Sequence, residues 1–197
     1  MVYNYKNLET EKYRRRMKKF FVNYSFYAVK MFLNQFAISL LGLTLSGVFS
    51  RAELSTGQLV SSICAVVFYL FLIYYMTWEL GYNDRIAEGH GHIVTHPLTG
   101  LFVSLLANSL NFIFAVLILC RVAFGSFCII IEGMYAGIII TVANGGTAPT
   151  WLYFAIIAPA LIVSTLSYYL GLHDICFTPL FRAKCPERAD KKERKKK

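Results

Sequence analysis

The feature that most constrains this chain is a series of apolar runs, each about as long as a bilayer is thick, joined by short polar links. A helix rises about 1.5 Å per residue, so about 20 apolar residues cover the ~30 Å hydrocarbon core. Runs of this kind lie at about 24–49, 58–78, 98–120 and 150–172. The composition agrees: 56% of the 197 residues are hydrophobic and only 16% are charged, far from the balance of a water-soluble domain. Such a chain has room for four to six spans of about 20 residues and none for a separate aqueous catalytic domain.

The formal charge of +9 is concentrated at the two ends. Lys12, Arg14, Arg15, Arg16, Lys18 and Lys19 precede the first apolar run; Arg182, Lys184, Arg188 and the run 191–197 follow the last. Lys and Arg resist translocation and attract anionic headgroups, so this pattern marks cytoplasmic flanks and points away from nucleic acid. The expected organisation is a basic cytoplasmic N-terminal segment at 1–23, a transmembrane helical domain at 24–172 and a basic cytoplasmic tail at 173–197. The first run lacks a small-residue cleavage site where a signal peptide would need one.

Two basic termini on one side require an even number of crossings. Four full spans plus one segment that does not cross satisfy this, whereas five crossings place one basic tail outside. Residues 124–146 are the segment left over. They carry Glu132, a Gly133-x-x-x-Gly137 pair and the ending Asn144-Gly145-Gly146. The expected fold class is therefore all-α: a four-transmembrane-helix bundle with a re-entrant or outer-face segment before the last span. Non-helical backbone at that depth needs shielding by the other helices.

Several polar residues lie within the apolar lengths. Gly100, Ser104, Ala107, Asn108 and Asn111 recur at helical spacing and share one inward face, which reads as close packing sealed by interhelical hydrogen bonds or as the lining of a solute path. Lys30, Asn34 and Gln35 add a charge and two amides to the first span; Lys30 sits near the inner end and snorkels. Glu132 must be paired, protonated or wet, because an ionised carboxylate is costly in apolar surroundings. Arg121 is its expected structural partner; proton coupling or cation binding is the functional reading. With Lys30, Asn34, Gln35, Asn108 and Asn111 it forms a candidate intramembrane polar site.

Two further candidates lie on the inner side. His90, His92 and His96 place three imidazoles within seven residues, a potential site for a divalent transition metal, although the intervening glycines break the helix that a zincin motif needs. Glu79, Asp84 and Arg85, joined by His173 and Asp174, form a boundary cluster that reads as a docking surface for a cytoplasmic partner. Tyr74, Tyr75 and Trp78 read as an aromatic belt closing the second span. The loop 79–97 is polar and glycine-rich and is not expected to be one helix. Cys64, Cys120 and Cys128 read as small packing residues, and five cysteines without a CxxC pair argue against a disulfide framework.

No GxSxG, HExxH, DxxD, Walker loop or dinucleotide fingerprint occurs, which leaves an enzymatic reading without a nucleophile and base. The stretch Tyr74-Tyr-Met-Thr-Trp-Glu-Leu-Gly-Tyr-Asn-Asp84-Arg85, then Gly100 to Asn111 and Leu170-Gly171, resembles small multi-pass membrane proteins of Firmicute bacteria. The resemblance implies a bacterial plasma membrane and no particular activity. A eukaryotic setting would make Arg194-Lys195-Lys196-Lys197 a retrieval signal for the endoplasmic reticulum. The leading expectation is a non-enzymatic accessory or scaffold subunit that packs with another membrane component or with itself. A small transporter or channel is the first alternative, and a metal-binding protein using the histidine loop the second.

Overall fold

The structure is a computed structural model that describes residues 3–52, 55–91, 95–120, 130–144 and 146–175, with side chains at Val22 and from residue 24 onward except Ser55. The described residues are helical and contain no strand. In chain order the helices are α1 (Tyr3–Arg51), α2 (Ser55–Gly89), α3 (Thr99–Ala107), α4 (Ser109–Leu119), a 3-10 turn at Gly133–Tyr135, α5 (Ala136–Ala143), α6 (Thr150–Ala155) and α7 (Ala158–Leu172). Three stretches are long and apolar enough to cross a membrane: Tyr24–Arg51, Thr56–Gly89 and Thr150–Leu172. The bent pair α3 and α4 counts as a fourth if taken together. The segment Gly133–Ala143 spans only about 16 Å, roughly half a hydrocarbon core.

Helix α1 carries the basic N-terminal segment and the first apolar run as one uninterrupted helix, with no break between them. Helix α2 is the centre of the bundle and packs against α1, α5 and α7, while α3 packs on α7 and α1. The contact of α2 with α7 is the most extensive and is made by glycines on both sides. A Cβ on Gly81 would run into the Tyr168 carbonyl, and one on Gly171 into the Trp78 carbonyl. Gly100 extends this seam to α3: its Cβ would lie 2.6 Å from the Ser164 carbonyl oxygen. Small residues let helix backbones approach where lipid supplies no hydrophobic drive between helices.

This seam changes the reading of the second span. Helix α2 continues through the expected loop as far as Gly89, because Trp78, Leu80, Gly81, Tyr82 and Asp84 are buried along its inner end. Trp78 is 4% exposed and stacks on Tyr82, with ring centroids 5.5 Å apart, instead of sitting in a headgroup belt. Its indole N–H donates to the Ile175 carbonyl at 2.8 Å. That carbonyl belongs to a Schellman cap on α7: the Ile175 N–H bonds Leu170 O, the Asp174 N–H bonds Gly171 O, and Asp174 adopts φ 57°.

The third apolar run is bent by 58° at Asn108. The Asn108 amide donates to the Ser104 carbonyl at 2.9 Å, alongside the backbone N–H of the same residue. A side chain that competes for a helical carbonyl is a recognised cause of bending. The last run breaks at Ile156–Ile157, next to Pro159, which has no N–H to continue the ladder. Cys64 and Cys120 are exposed on the outside of the bundle, not packed within it, and Cys128 lies outside the described residues.

The glycine seam leads to a direct test. Gly171→Val should lower stability by about 2 kcal/mol through overpacking. Gly47→Ala, at a position with open space around the new Cβ, should leave stability unchanged or slightly raised. Thermal unfolding of both variants in detergent measures the difference.

Candidate functional site

The short segment 130–144 is clamped between α1 and α2 by its glycines. A Cβ on Gly133 would lie 2.6 Å from Ser39 O of α1, and one on Gly137 would collide with Gln58 O of α2. From the α1 side, a Cβ on Gly42 would meet Met134 Cα at 2.7 Å. Two hydrogen bonds complete the clamp. Ser39 Oγ donates to the Ile131 carbonyl at 2.6 Å, and the Gly137 N–H donates to Ser62 Oγ at 2.8 Å. The GxxxG pair thus makes a contact within the chain, to two different helices.

This clamp fixes Glu132, which is 3% exposed and whose Oε1 has no hydrogen-bond partner among the described residues. Arg121, its expected partner, lies outside the described residues. Glu132 forms part of the wall of a half-open cavity of about 620 Å³ between α1, α2, α4, α5 and α6. Leu43, Ile118, Ile139, Ile140 and Tyr153 supply most of the lining. Ser46, Ser50 and Gln58 add polar groups; Gln58 Nε2 also donates to the Ser46 carbonyl at 3.2 Å.

The other residues of the expected intramembrane polar site are dispersed. Lys30 is exposed on the outer face of α1. Asn34 Nδ2 bonds Met76 Sδ at 2.9 Å, and Gln35 Oε1 accepts from the Tyr69 hydroxyl at 3.2 Å, so both meet α2 and not the third run. Asn111 Nδ2 donates to Asn108 Oδ1 at 2.9 Å, and Asn108 itself bonds Ser104. None of these residues lines the cavity at Glu132.

At the other end, the boundary cluster separates into two parts. Asp84 is buried, and its Oδ2 accepts from the hydroxyls of Tyr24 at 2.7 Å and Tyr168 at 2.8 Å, which ties α1, α2 and α7 together. Sequence reading missed both tyrosines: their partner lies 60 and 84 positions away in the chain, and no local signal marks the pairing. Arg85 pairs with Asp174 at 3.7 Å on the surface, and His173 Nδ1 lies 2.9 Å from the Tyr169 carbonyl. Glu79 is half-buried. Arg85, Asp174 and His173 therefore remain at the surface, while Asp84 is interior.

In the histidine loop, His90 and His96 are exposed, His96 Nδ1 accepts from the Leu98 N–H at 3.3 Å, and His92 lies outside the described residues. Glu88 joins the loop by accepting from Thr95 Oγ1 at 2.6 Å. Among the described residues, no three His, Cys, Asp or Glu side chains are grouped to hold a metal.

No protein family, curated protein or solved structure matches this chain, so a functional reading rests on its own geometry and chemistry.

Proposed function

We propose that this chain is a non-enzymatic, multi-pass membrane protein that serves as an accessory or scaffold subunit, packing against another membrane component or a second copy of itself. In this reading α1, α2, the bent pair α3 and α4, and the pair α6 and α7 cross the bilayer. The segment 130–144 is re-entrant, and both basic ends lie in the cytoplasm. The resemblance to Firmicute multi-pass proteins favours the plasma membrane.

The observation that carries the reading is the use made of the intramembrane polar groups. Gln35, Ser39, Ser62, Thr77, Ser104, Ser164 and Ser167 are all buried and bonded to a neighbouring element, which is how polar side chains join helices in lipid, while Asn108 and Asn111 are bonded within the third run; Gln35 Nε2 and Asn111 Oδ1 have no partner among the described residues. The outward faces are apolar: Phe26, Val29, Leu33, Leu41 and Val48 on α1, and Val60, Val67, Phe68 and Phe71 on α2, are all about half exposed or more. Only 28% of the apolar window of either helix is buried, so lipid or a partner covers the rest. The contacts of 130–144 favour the re-entrant placement, since Gly133 meets the middle of α1 and Gly137 meets the beginning of α2.

A second reading, a small transporter, is favoured by the cavity at Glu132. A metal-binding role for His90, His92 and His96 is supported by the spacing of the three residues alone.

Two measurements test the proposal. With the native cysteines replaced, Ala52→Cys should react with an impermeant maleimide from outside, and Gly91→Cys only after permeabilisation. Labelling of both from one side would overturn the topology. Native mass spectrometry after gentle extraction should show a stoichiometric foreign subunit or a homo-oligomer. A lone monomer that moves a solute by itself would overturn the accessory reading.

A further inference from the structure

We propose that the cavity at Glu132 is a binding site for an amphiphilic cation, an apolar body carrying one positively charged headgroup whose charge is balanced by the Glu132 carboxylate. The inference goes beyond the accessory reading and does not depend on it.

Three observations converge on this ligand class. The first is the unpartnered carboxyl oxygen. Buried polar atoms in folded proteins are almost always satisfied, and each exception needs an explanation. Here the atom belongs to a side chain that is 97% buried by exposure and sits in a cavity wall. The second is the size and lining of the cavity. A volume of about 620 Å³ falls in the range of small-molecule sites, and aliphatic walls with a few polar groups are their usual lining. The third is the sign of the charge. Among the described residues that line the cavity, Glu132 carries the one formal charge.

The alternatives fit less well. An anion would meet a carboxylate and no compensating cation. A divalent metal ion needs several oxygen or nitrogen ligands, and one carboxylate with no companion His, Cys, Asp or Glu does not supply them. A neutral apolar molecule would fill the walls yet leave the carboxyl unsatisfied. A cation within about 4–6 Å stabilises the charged carboxylate through the low-dielectric surroundings, and its apolar body covers the aliphatic walls.

The clamp supports a standing site. Ser39 holds the backbone on either side of Glu132 against α1, through its hydroxyl on the Ile131 carbonyl and its own carbonyl against Gly133, while Gly137 anchors the following turn on α2. Pre-organisation of this kind lowers the ordering cost of binding. The same chemistry is offered by the headgroup of an aminolipid and by a free hydrophobic cation.

The test uses the full chain in dodecyl maltoside micelles, with tetraphenylphosphonium as the probe and triphenylphosphine oxide as its uncharged counterpart. Equilibrium dialysis should show one saturable phosphonium site per chain, weakened at least tenfold in Glu132→Gln and largely kept in Glu132→Asp, with no saturable binding of the oxide. Equal binding by wild type and Glu132→Gln, or equal binding of phosphonium and oxide, overturns the proposal. Should Glu132→Gln fail to fold, labelling of wild-type Glu132 by dicyclohexylcarbodiimide replaces it. Saturating phosphonium should block the labelling, and an unchanged rate overturns the proposal. Displacement of the probe by phosphatidylethanolamine, but not by phosphatidylglycerol, identifies a lipid headgroup as the occupant. Absence of displacement identifies a free cation.

Discussion

Two glycines, Gly81 and Gly171, bring the backbones of α2 and α7 so close that each occupies the space where the other's Cβ would be. In water the hydrophobic effect would press two apolar helices together whatever their surface detail. In hydrocarbon that drive is absent, and packing together with a few hydrogen bonds must suffice. The rest of this end of the bundle follows from this approach. Trp78 reaches the Ile175 carbonyl because α2 and α7 are near enough for an indole to bridge the α7 cap, and Thr77 meets Ser167 across the same seam. Tyr168 is then carried to Asp84, and Tyr24 of α1 closes on the same carboxylate oxygen. One backbone contact thereby positions three helices.

The other end of the bundle uses the same means for a different element. The described helix Gly133–Ala143 is short, and its two glycines face two helices. Just before the first of them lies Glu132, with backbone angles of φ −100° and ψ 13° at the start of a 3-10 turn. One end of the bundle thus satisfies its buried carboxylate with two tyrosine hydroxyls, while the other leaves one carboxyl oxygen without a partner among the described residues. Two carboxyls in one small bundle, treated in opposite ways, divide structure from candidate function.

Much of the architecture was legible because its cause is periodic and local. Lengths of apolar sequence mark the helices long and apolar enough to cross a membrane, and helical spacing alone put Gly100, Ser104, Ala107, Asn108 and Asn111 on one face, all five of which are buried. What escaped depended on tertiary contact. The polarity of 79–89 reads as a loop until α7 packs on Gly81 and Tyr82, bonds Asp84 through Tyr168 and keeps the stretch helical. The same cover turns Trp78 from a headgroup anchor into a buried bridge. Asn34 and Gln35 suggested polar partners but not which helix would supply them, since a single sequence carries no record of neighbours. Glu132 was visible as an anomaly from composition; the cavity beside it was not, because it is formed by side chains from five helices.

The energetics of Glu132 bear on how the two functional readings relate. A buried carboxyl oxygen such as this one, without a partner among the described residues, costs stability, and an apolar residue of similar size would ordinarily serve a pure packing element better. The contacts that hold 130–144 are close packing, Gly133 on Ser39, Met134 on Gly42 and Gly137 on Gln58, and two hydrogen bonds, to the Ile131 carbonyl and from the Gly137 N–H. Packing accounts for those residues and leaves the carboxyl unexplained. Binding of a compensating cation accounts for the carboxyl and requires the same tight clamp to hold it in place. An accessory subunit and a ligand site are therefore not rival uses of this segment: the glycines that fix it between α1 and α2 are what make an otherwise unfavourable charge tolerable beside the cavity.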